Sequence, residues 1–247
     1  MARRLAVVTG AAGGLGSAFA RALIAQGEDV VGVDRRLDGL EGLAREFVPR
    51  GPAAFFPEVA DLTDPAAVQA LFERVGARHG GVDILVNNAG ACFMSEFVET
   101  PPDELRHQLA VNFESAFYCC QRAIPLMLGR PGVKKIVNIS SNGAYNFDVF
   151  DPAHYRASKA ALDNLTKDLA RRFARQSISV NSVAPAMTRT PLMGVLTPDV
   201  LERAVAQMPR GAMEPTEIAA WVVFLVSPAG DCASGNVIIL NQGRDVR

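Results

Sequence analysis

The chain has 247 residues, with 25 Lys and Arg against 26 Asp and Glu, 49% hydrophobic residues and 7% aromatic residues. This length allows one large domain or two small ones with a sizeable core, and the hydrophobic fraction is too high for a disordered chain. A formal net charge of -1 excludes a global basic field. The composition therefore predicts no nucleic-acid partner and no attraction to an anionic membrane.

We predict neither a membrane-spanning helix nor a secretory signal peptide. The longest strongly apolar run, residues 218–226, is shorter than the ~20 residues of a spanning helix. A basic start leads into apolar residues, but Thr9 and Gly10 end that stretch early, so a strand explains it better than a signal peptide. The four cysteines form no C-x-x-C pair and have no histidine at metal-ligand spacing. We expect reduced core thiols, no metal site and a cytoplasmic protein.

Short apolar runs alternate with segments of helical periodicity along the whole chain. The predicted strands are residues 5–9, 29–33, 53–59, 83–87, 133–139, 177–183 and 236–240. The predicted helices are residues 15–26, a segment ending at residue 47, and residues 65–79 (capped by Asp64), 102–128, 153–175 and 215–226. Strands that are apolar throughout and separated by helices predict a doubly wound parallel α/β sheet of about seven strands, with helices on both faces, in a single domain 1–247.

Glycines follow the first strand, at the edge of the sheet where such folds bind ligands. Gly10, Gly14 and Gly16 lead into a helix that starts at Leu15. Glycines let the backbone approach a pyrophosphate, and the helix start supplies free N–H groups. The spacing differs from G-x-G-x-x-G, and an ordinary glycine-rich turn is the alternative. We interpret Gly10, Gly14, Leu15 and Gly16 as residues of a dinucleotide site.

Acidic residues end the second and third strands. Asp34 is placed to accept hydrogen bonds from both adenosine ribose hydroxyls and to repel a 2'-phosphate, which favours NAD over NADP. Arg35 and Arg36 follow directly and are suited to a 2'-phosphate, so NADP remains the alternative. Asp61, beside Leu62, is placed to accept from the adenine amino group. A turn or capping role for Asp61 is almost equally compatible with the spacing.

The fourth strand ends in Asn87, Asn88, Ala89 and Gly90. We assign Asn87, Ala89 and Gly90 to the cofactor site, where the asparagines tie neighbouring strands together and line the adenosine pocket; a plain turn is the alternative. Asn112 lies in an apolar helical stretch. A buried amide there needs a partner, which is backbone, water or a catalytic group.

Ser141 follows the fifth strand, and Tyr155 and Lys159 come next at helical spacing. Residues i and i+4 share a helix face, so the phenol and the ammonium point the same way. With three tyrosines and four lysines in the chain, chance expects about 0.05 such pairs. We therefore interpret this pair as chemical rather than as an accidental surface pair.

The ordered motifs resemble those of the short-chain dehydrogenase/reductase family along nearly the whole chain. The family's T-G-x-x-x-G-x-G matches residues 9–16, N-N-A-G matches 87–90, and P-G-x-x-x-T matches 185–190 with Ala186 in place of glycine. The family's D-G-G near the C-terminus reads Asn241-Gln242-Gly243 here. The resemblance assigns Pro185, Thr188 and Thr190 to the cofactor site. It also assigns a catalytic tetrad of Asn112, Ser141, Tyr155 and Lys159.

The resemblance implies reversible hydride transfer between NAD and a secondary alcohol or ketone. Tyr155 would be the general acid and base, Ser141 would bind the substrate oxygen, and Asn112 would hold a water of a proton relay. Lys159 would hold the nicotinamide ribose. An ammonium ~5 Å away at an effective dielectric constant of ~20 favours the phenolate by about 3 kcal/mol. We therefore expect Lys159 to bring the Tyr155 pKa towards neutrality.

Residues 187–213 are expected to form a substrate lid, because apolar side chains recur at the place where family members carry one. Simple packing onto the core is the alternative. The expected partner is a small-molecule alcohol or ketone, and the resemblance favours a homo-oligomer, a tetramer or a dimer. Two other functions remain open: an NADP-dependent 3-oxoacyl thioester reductase, and a dinucleotide-binding protein without chemistry.

Overall fold

The computed structural model describes residues 3–47, 53–146 and 151–245. Its seven strands are parallel and form one sheet in the order β3-β2-β1-β4-β5-β6-β7. The strands are β1 (Leu5–Thr9), β2 (Asp29–Asp34), β3 (Phe55–Val59), β4 (Ile84–Asn87), β5 (Lys134–Ile139), β6 (Ile178–Pro185) and β7 (Val237–Leu240). The predicted fold class is confirmed, and strand ends differ from the predictions by one or two residues.

Eight α-helices connect and cover the strands within the described ranges. They are α1 (Gly14–Ala25), α2 (Leu37–Phe47), α3 (Pro65–His79), α4 (Pro102–Leu109), α5 (Ser115–Met127), α6 (Ala153–Phe173), α7 (Pro198–Ala206) and α8 (Pro215–Val226). Asp64 caps α3 as predicted, accepting from the Ala66 N–H at 2.9 Å. None of these helices is both long enough and apolar enough to cross a membrane.

Successive side chains of each strand point to opposite faces of the sheet and pack into two separate core layers. Val7, Val31 and Leu85 pack with α3 and α5 on one face of the sheet, whereas Val8 and Val86 pack with α1 and α8 on the other. Because both faces are covered, the central strands are buried along their whole length, which explains their unbroken apolar sequences.

The predicted continuous helix 102–128 is wrong in one respect. A π-helical turn, Ala110–Glu114, separates α4 from α5. Its extra residue per turn carries Asn112 to the segment that follows β4, where the amide makes three hydrogen bonds. Hydrophobic periodicity does not register such a turn, because the polar contacts that favour it come from distant residues.

A buried ion pair fixes the amino-terminal edge of the sheet. Asp83, just before β4, accepts from Arg130 Nε and Nη2 at 2.7 Å each, and from the Leu5 N–H at 2.8 Å. Asp83 is 5% exposed. One carboxylate therefore joins the start of β1 to the loop that leads into β5.

Replacing Asp83 with Ala should lower the free energy of unfolding by about 3–5 kcal/mol, because a guanidinium and a backbone N–H lose their buried acceptor. Chemical denaturation of wild type and variant measures this difference. Asp168→Ala is the matched control, since its pair with Arg172 is exposed on both sides and should contribute nothing measurable. Equal losses in the two variants would contradict the assignment.

Candidate active site

A cavity of about 410 Å³ opens at the carboxyl edge of the sheet. The chain runs outward from β1 to β3 and then crosses back to place β4 on the other side of β1. The two halves diverge there, leaving a crevice between the β1–α1 turn and the segment after β4. The ends of β5 and β6, the start of α6 and the segment around residues 187–196 complete the walls.

The β1–α1 turn presents backbone rather than side chains to the cavity. Gly10, with φ of 65°, adopts the left-handed conformation that glycine takes without strain. Gly10, Gly14 and Leu15 line the cavity, and α1 starts after Gly13 without a side-chain cap. The first N–H groups of α1 lie beside this wall, so the turn fits a pyrophosphate on backbone grounds.

Gly16 has a different role from the other glycines of the turn, because it does not line the cavity. A Cβ at this position would collide with the Gly10 carbonyl oxygen. Gly16 therefore allows α1 to fold back against the turn. Gly14 is covered from the other side, where a Cβ would lie 2.9 Å from atoms of Thr190 and Pro191.

Hydrogen bonds join the turn to the segment after β4. Thr9 Oγ1 accepts from the Asn88 and Ala89 N–H groups at 2.9 and 3.0 Å. Asn88 Nδ2 donates to the carbonyl oxygens of Thr9 and Gly10 at 2.9 and 3.2 Å. Ala89 and Gly90 line the cavity as predicted, and so does Asn88.

Asn87 lies behind the cavity wall rather than in it. Its Nδ2 donates to Asn138 Oδ1 at 2.8 Å and to Cys120 Sγ at 3.2 Å. The expected strand-tying contact of this asparagine is present, joining β4 to β5, but the cavity-lining contact belongs to Asn88 instead. The alternation of side chains at the end of a strand separates the two roles.

Asp34 reaches the far end of the cavity as expected. Its Oδ2 accepts from the Ala12 N–H at 3.0 Å and its Oδ1 from the Arg36 N–H at 3.1 Å. The Arg36 side chain folds back, with Nη2 donating to the Ala12 carbonyl oxygen at 2.9 Å. Arg35 and Arg36 line the same end, so both signs of charge are present there.

Asp61 and Leu62 lie outside the cavity lining. Asp61 Oδ1 accepts from the N–H and the hydroxyl of Thr63, at 2.9 and 2.7 Å. These hydrogen bonds lower the pKa of Asp61. The contacts are those of the turn role that the spacing also allowed.

The end of β6 forms the opposite wall. Pro185, Thr188 and Thr190 line the cavity, and Thr188 Oγ1 donates to the Ala186 carbonyl oxygen at 3.0 Å. Among the described residues only Ser177 and Gln242 have positive φ without being glycine. Ala186 therefore has an ordinary backbone conformation, and its departure from the family motif introduces no strain.

Ser141, Tyr155 and Lys159 meet on one wall, and all three are buried. Ser141 shares a hydrogen bond with the Tyr155 hydroxyl and accepts from the Gly143 N–H at 3.0 Å. Lys159 Nζ donates to the Ile139 carbonyl oxygen at 2.8 Å and lies 6.0 Å from the centre of the Tyr155 ring. The helical spacing places the phenol and the ammonium together, as predicted.

Asn112 stands one layer further back. Its Oδ1 accepts from the Ala91 N–H at 2.8 Å, and its Nδ2 donates to the Ala91 carbonyl oxygen and to Ser158 Oγ at 3.0 Å each. A Cβ on Gly90 would lie 3.2 Å from Asn112 Oδ1 and 3.4 Å from Lys159 Nζ. Asn112 and Lys159 therefore border the same glycine, and the observed partners of this amide are backbone and a serine.

The expected lowering of the Tyr155 pKa is absent from the structure. Burial raises the pKa of Tyr155, the Asp151 charge raises it further, and only the Ser141 hydrogen bond opposes them. Burial also lowers the pKa of Lys159 to about 8, against the opposing charge of Asp163. Desolvation disfavours the charged forms of both side chains, and for Tyr155 it outweighs the attraction expected from an ammonium ~5 Å away.

Asp163 is a further candidate functional residue, which the sequence motifs do not identify. It is 3% exposed, and its carboxylate accepts from Ser140 Oγ at 2.8 Å, from Ser182 Oγ at 2.6 Å and from the Tyr145 hydroxyl. Burial raises its pKa, whereas the hydroxyl donors and Lys159 act in the opposite direction. The i+4 step from Lys159 was a usable signal, since it continues the Tyr155–Lys159 face by one turn.

The Asn241-Gln242-Gly243 departure has local partners of its own. Asn241 Nδ2 donates to Asn142 Oδ1 at 3.4 Å, beside the loop of Ser141. Gln242 accepts from the Arg210 N–H at 2.7 Å and donates to the Gly211 carbonyl oxygen at 3.1 Å. This turn therefore links the end of the 187–213 segment to the active-site loop.

The segment 187–213 contains a 3-10 helix, Pro191–Val195, followed by α7. Leu192 and Val195 line the cavity although they are more than 40% exposed. Met208 and Met213 are buried in the core layer of α1 and α8 instead. Both interpretations of the segment thus apply, to different residues: part of it faces the cavity and part packs onto the core.

The core-thiol interpretation holds for two of the four cysteines. Cys119 and Cys120 are buried, whereas Cys92 is partly exposed at the cavity wall and Cys232 is exposed.

The loop after Ser141 is described only up to residue 146, and Phe147, Asp148 and Phe150 lie outside the described residues.

Comparisons with known proteins agree with this geometry. A family model described as enoyl-(acyl carrier protein) reductase matches residues 10–245. The chain is 33% identical to 2,3-dihydroxy-2,3-dihydro-p-cumate dehydrogenase of Pseudomonas putida, over 97% of this chain and 93% of that one. The chain belongs to the short-chain dehydrogenase/reductase family.

Further similarities extend along the full length. Acetoacetyl-CoA reductase of Acinetobacter sp. is 35% identical, with 98% of this chain and 97% of the relative covered. A short-chain dehydrogenase structure from Burkholderia cenocepacia, in complex with NADP, has a TM-score of 0.91 at 29% identity and covers 99% of this chain and 98% of that one. The chain is thus an oxidoreductase of this family that uses a nicotinamide dinucleotide and acts on small alcohols or ketones.

Replacing Asp163 with Asn should lower the Lys159 pKa from its value of about 8, because the ammonium loses the charge that opposes its desolvation. The chain has only four lysines, so NMR titration of ¹³Cε-labelled lysine resolves Lys159, and Lys159→Arg assigns the signal. Asp168→Asn, an exposed position on the same helix, should leave the midpoint in place. An unchanged midpoint in Asp163→Asn would show that Asp163 only packs.

Proposed function

We propose that the protein interconverts a secondary alcohol and a ketone with NAD(H), using Tyr155 as general acid and base. The meeting of Ser141, Tyr155 and Lys159 on the wall of the cavity that also contains the glycine turn carries this proposal. A protein that only binds a dinucleotide has no need of a buried phenol and ammonium in the same crevice.

The glycine turn, Asp34 and the end of β6 would hold the dinucleotide. Bound nicotinamide would supply the hydride acceptor or donor and, when oxidised, a positive charge that favours the phenolate. Ser141 would donate to the substrate oxygen and stabilise its developing charge. Tyr155 would give or take the hydroxyl proton. Lys159, with a pKa of about 8, is mostly an ammonium at neutral pH and would favour the ionised phenol.

Asn112 supports the wall rather than touching the substrate. Its three hydrogen bonds to Ala91 and Ser158 hold the segment after β4 against α6. The expected proton relay through Asn112 stays a prediction. The homo-oligomer, tetramer or dimer, also stays a prediction, and light scattering in solution tests it.

NAD remains the preferred cofactor because Asp34 presents a carboxylate that two backbone N–H groups hold in place. A 2'-phosphate beside it would meet like charge. The competing function, an NADP-dependent reductase of 3-oxoacyl thioesters, has two supports. Arg35 and Arg36 line the same end of the cavity, and one relative is an acetoacetyl-CoA reductase. A panel of alcohols, ketones and acetoacetyl thioester with both cofactors separates the two functions.

Tyr155→Phe should lower kcat/KM by about 10²–10⁴-fold, because the site loses its proton donor and acceptor. The ring itself and its packing are retained, so NADH should still bind. Stopped-flow turnover and NADH fluorescence titration measure the two quantities. Tyr118→Phe is the matched control, because Tyr118 packs with the core layer of α3 and α5. Wild-type turnover in Tyr155→Phe would overturn the mechanism.

Asp34→Ala should reduce the preference for NAD over NADP by about tenfold to 100-fold, because charge-assisted hydrogen bonds to the ribose are lost and the repulsion of a 2'-phosphate ends. The kcat/KM values for both cofactors give this ratio. Asp38→Ala, in the first turn of α2, is the control and should not change it. A wild-type preference for NADP would refute the role assigned to Asp34.

A further inference from the structure

Asp151 places a carboxylate at the substrate end of the cavity. It lies four residues before Tyr155, just ahead of α6, and lines the cavity. A Cβ on Gly143 would collide with the Asp151 carboxylate, while Ser141 Oγ lies 3.3 Å from the same point. Gly143 thus leaves the space in which this carboxylate sits, beside the loop that carries Ser141.

The charge of Asp151 raises the pKa values of two groups at the cavity wall, Tyr155 and Cys92. It is the largest electrostatic contribution, after burial, to the raised pKa of Tyr155. It also contributes, again after burial, to the rise of the Cys92 pKa to about 12. Cys92 belongs to the segment after β4, so a substrate held at Tyr155 has the Asp151 carboxylate within electrostatic reach.

Apolar side chains form much of the cavity lining. They include Met94, Met187, Leu192, Met193 and Val195. Among the described lining residues, the cations are Arg35 and Arg36 beside Asp34, together with Lys159 and Arg244. Lys159 acts electrostatically on Cys92, as Asp151 does. Arg244 donates to Asp245 at 2.8 Å and to Gln207 at 3.3 Å.

We propose that Asp151 selects substrates that carry a second hydroxyl on the carbon next to the reacting one, namely vicinal diols on a hydrocarbon frame and the matching hydroxyketones. The Asp151 carboxylate and Ser141 Oγ both lie beside Gly143. With the reacting oxygen at Ser141 and Tyr155, a hydroxyl on the neighbouring carbon would therefore be within reach of Asp151. A carboxylate accepts several hydrogen bonds at once, so it can receive the second hydroxyl in addition to its protein partners. This inference rests on the proposed alcohol–ketone function.

The charges around Asp151 favour a neutral hydrogen-bond donor on the substrate over a charged substituent. An ammonium substituent would meet the Lys159 ammonium as well as Asp151, so repulsion offsets its attraction. A carboxylate substituent would be repelled by Asp151 itself. A neutral hydroxyl donates to the carboxylate without either penalty, and the apolar walls accommodate the hydrocarbon.

The test compares trans-1,2-cyclohexanediol with cyclohexanol, which differ by one hydroxyl on the same ring. Apolar walls alone would favour cyclohexanol, because the diol has more polar surface to desolvate. We expect wild-type kcat/KM for the diol to exceed that for cyclohexanol by about tenfold or more. In Asp151→Ala this ratio should fall to one or below. The ratio of the two kcat/KM values is the readout, because loss of the Asp151 charge also lowers the Tyr155 pKa and therefore affects turnover of both substrates.

Glu104→Gln is the matched control. Glu104 acts electrostatically on Cys92 as Asp151 does, but it bonds Ser95, faces His154 and does not line the cavity. Its loss should leave the diol-to-alcohol ratio unchanged. Asp151→Asn, which keeps the shape and an acceptor, should give a ratio between those of wild type and Asp151→Ala.

Binding to Tyr155→Phe with NADH, measured by calorimetry, separates this inference from the proposed function. If Tyr155→Phe binds the diol more tightly than cyclohexanol, and this difference disappears in Tyr155→Phe/Asp151→Ala, Asp151 recognises the second hydroxyl. That conclusion holds even if the wild type turns over neither compound. Absence of turnover would count against the proposed function alone. Equal affinities for the two compounds, or a diol preference that persists without Asp151, would overturn the inference whatever the turnover.

Discussion

The close approach of two backbone segments at the strand reversal is the constraint on which the site depends. The turn after β1 and the segment after β4 are joined through Thr9 Oγ1, which accepts two N–H groups, and through Asn88. Gly10 and Gly90 lack the Cβ atoms that would crowd this junction. Since Gly90 also borders Lys159, the junction connects the β1–α1 turn to the wall that contains Ser141, Tyr155 and Lys159. A change in either segment therefore displaces both.

Helix α6 adds a second constraint, since it carries Tyr155, Lys159 and Asp163 on one buried face. Burial disfavours the charged form of all three groups. The protein offsets this with fixed partners: the Ile139 carbonyl oxygen for Lys159 and three hydroxyls for Asp163. The rigid helix thus sets the spacing of the groups, and the ends of β5 and β6 satisfy their polar atoms.

Much of this arrangement could be predicted from local patterns. The apolar runs predict the strands, and the i+4 spacing predicts the Tyr155–Lys159 pair, because both depend on neighbours in sequence. The π-helical turn at Asn112 could not be predicted. The choice between the two roles allowed for Asp61, and the choice of Asn88 over Asn87 as the cavity-lining residue, could not be predicted either. Each is decided by partners that the chain brings together only on folding, or by which of two adjacent side chains faces inward. Desolvation also depends on the folded surroundings, so the spacing of Tyr155 and Lys159 does not by itself predict the direction of the Tyr155 pKa shift.

The protonation state of the site follows from the balance of burial and charge. A phenol whose pKa is raised by burial and by Asp151 holds its proton at neutral pH. Such a phenol is a proton donor, which suits reduction of a carbonyl. Alcohol oxidation needs the opposite state, so positive charge has to arrive or negative charge has to be weakened. A substrate hydroxyl that donates to Asp151 would weaken the negative charge near the phenol, because it would screen the carboxylate from Tyr155. Recognition of the diol and activation of Tyr155 would then be one event at one residue.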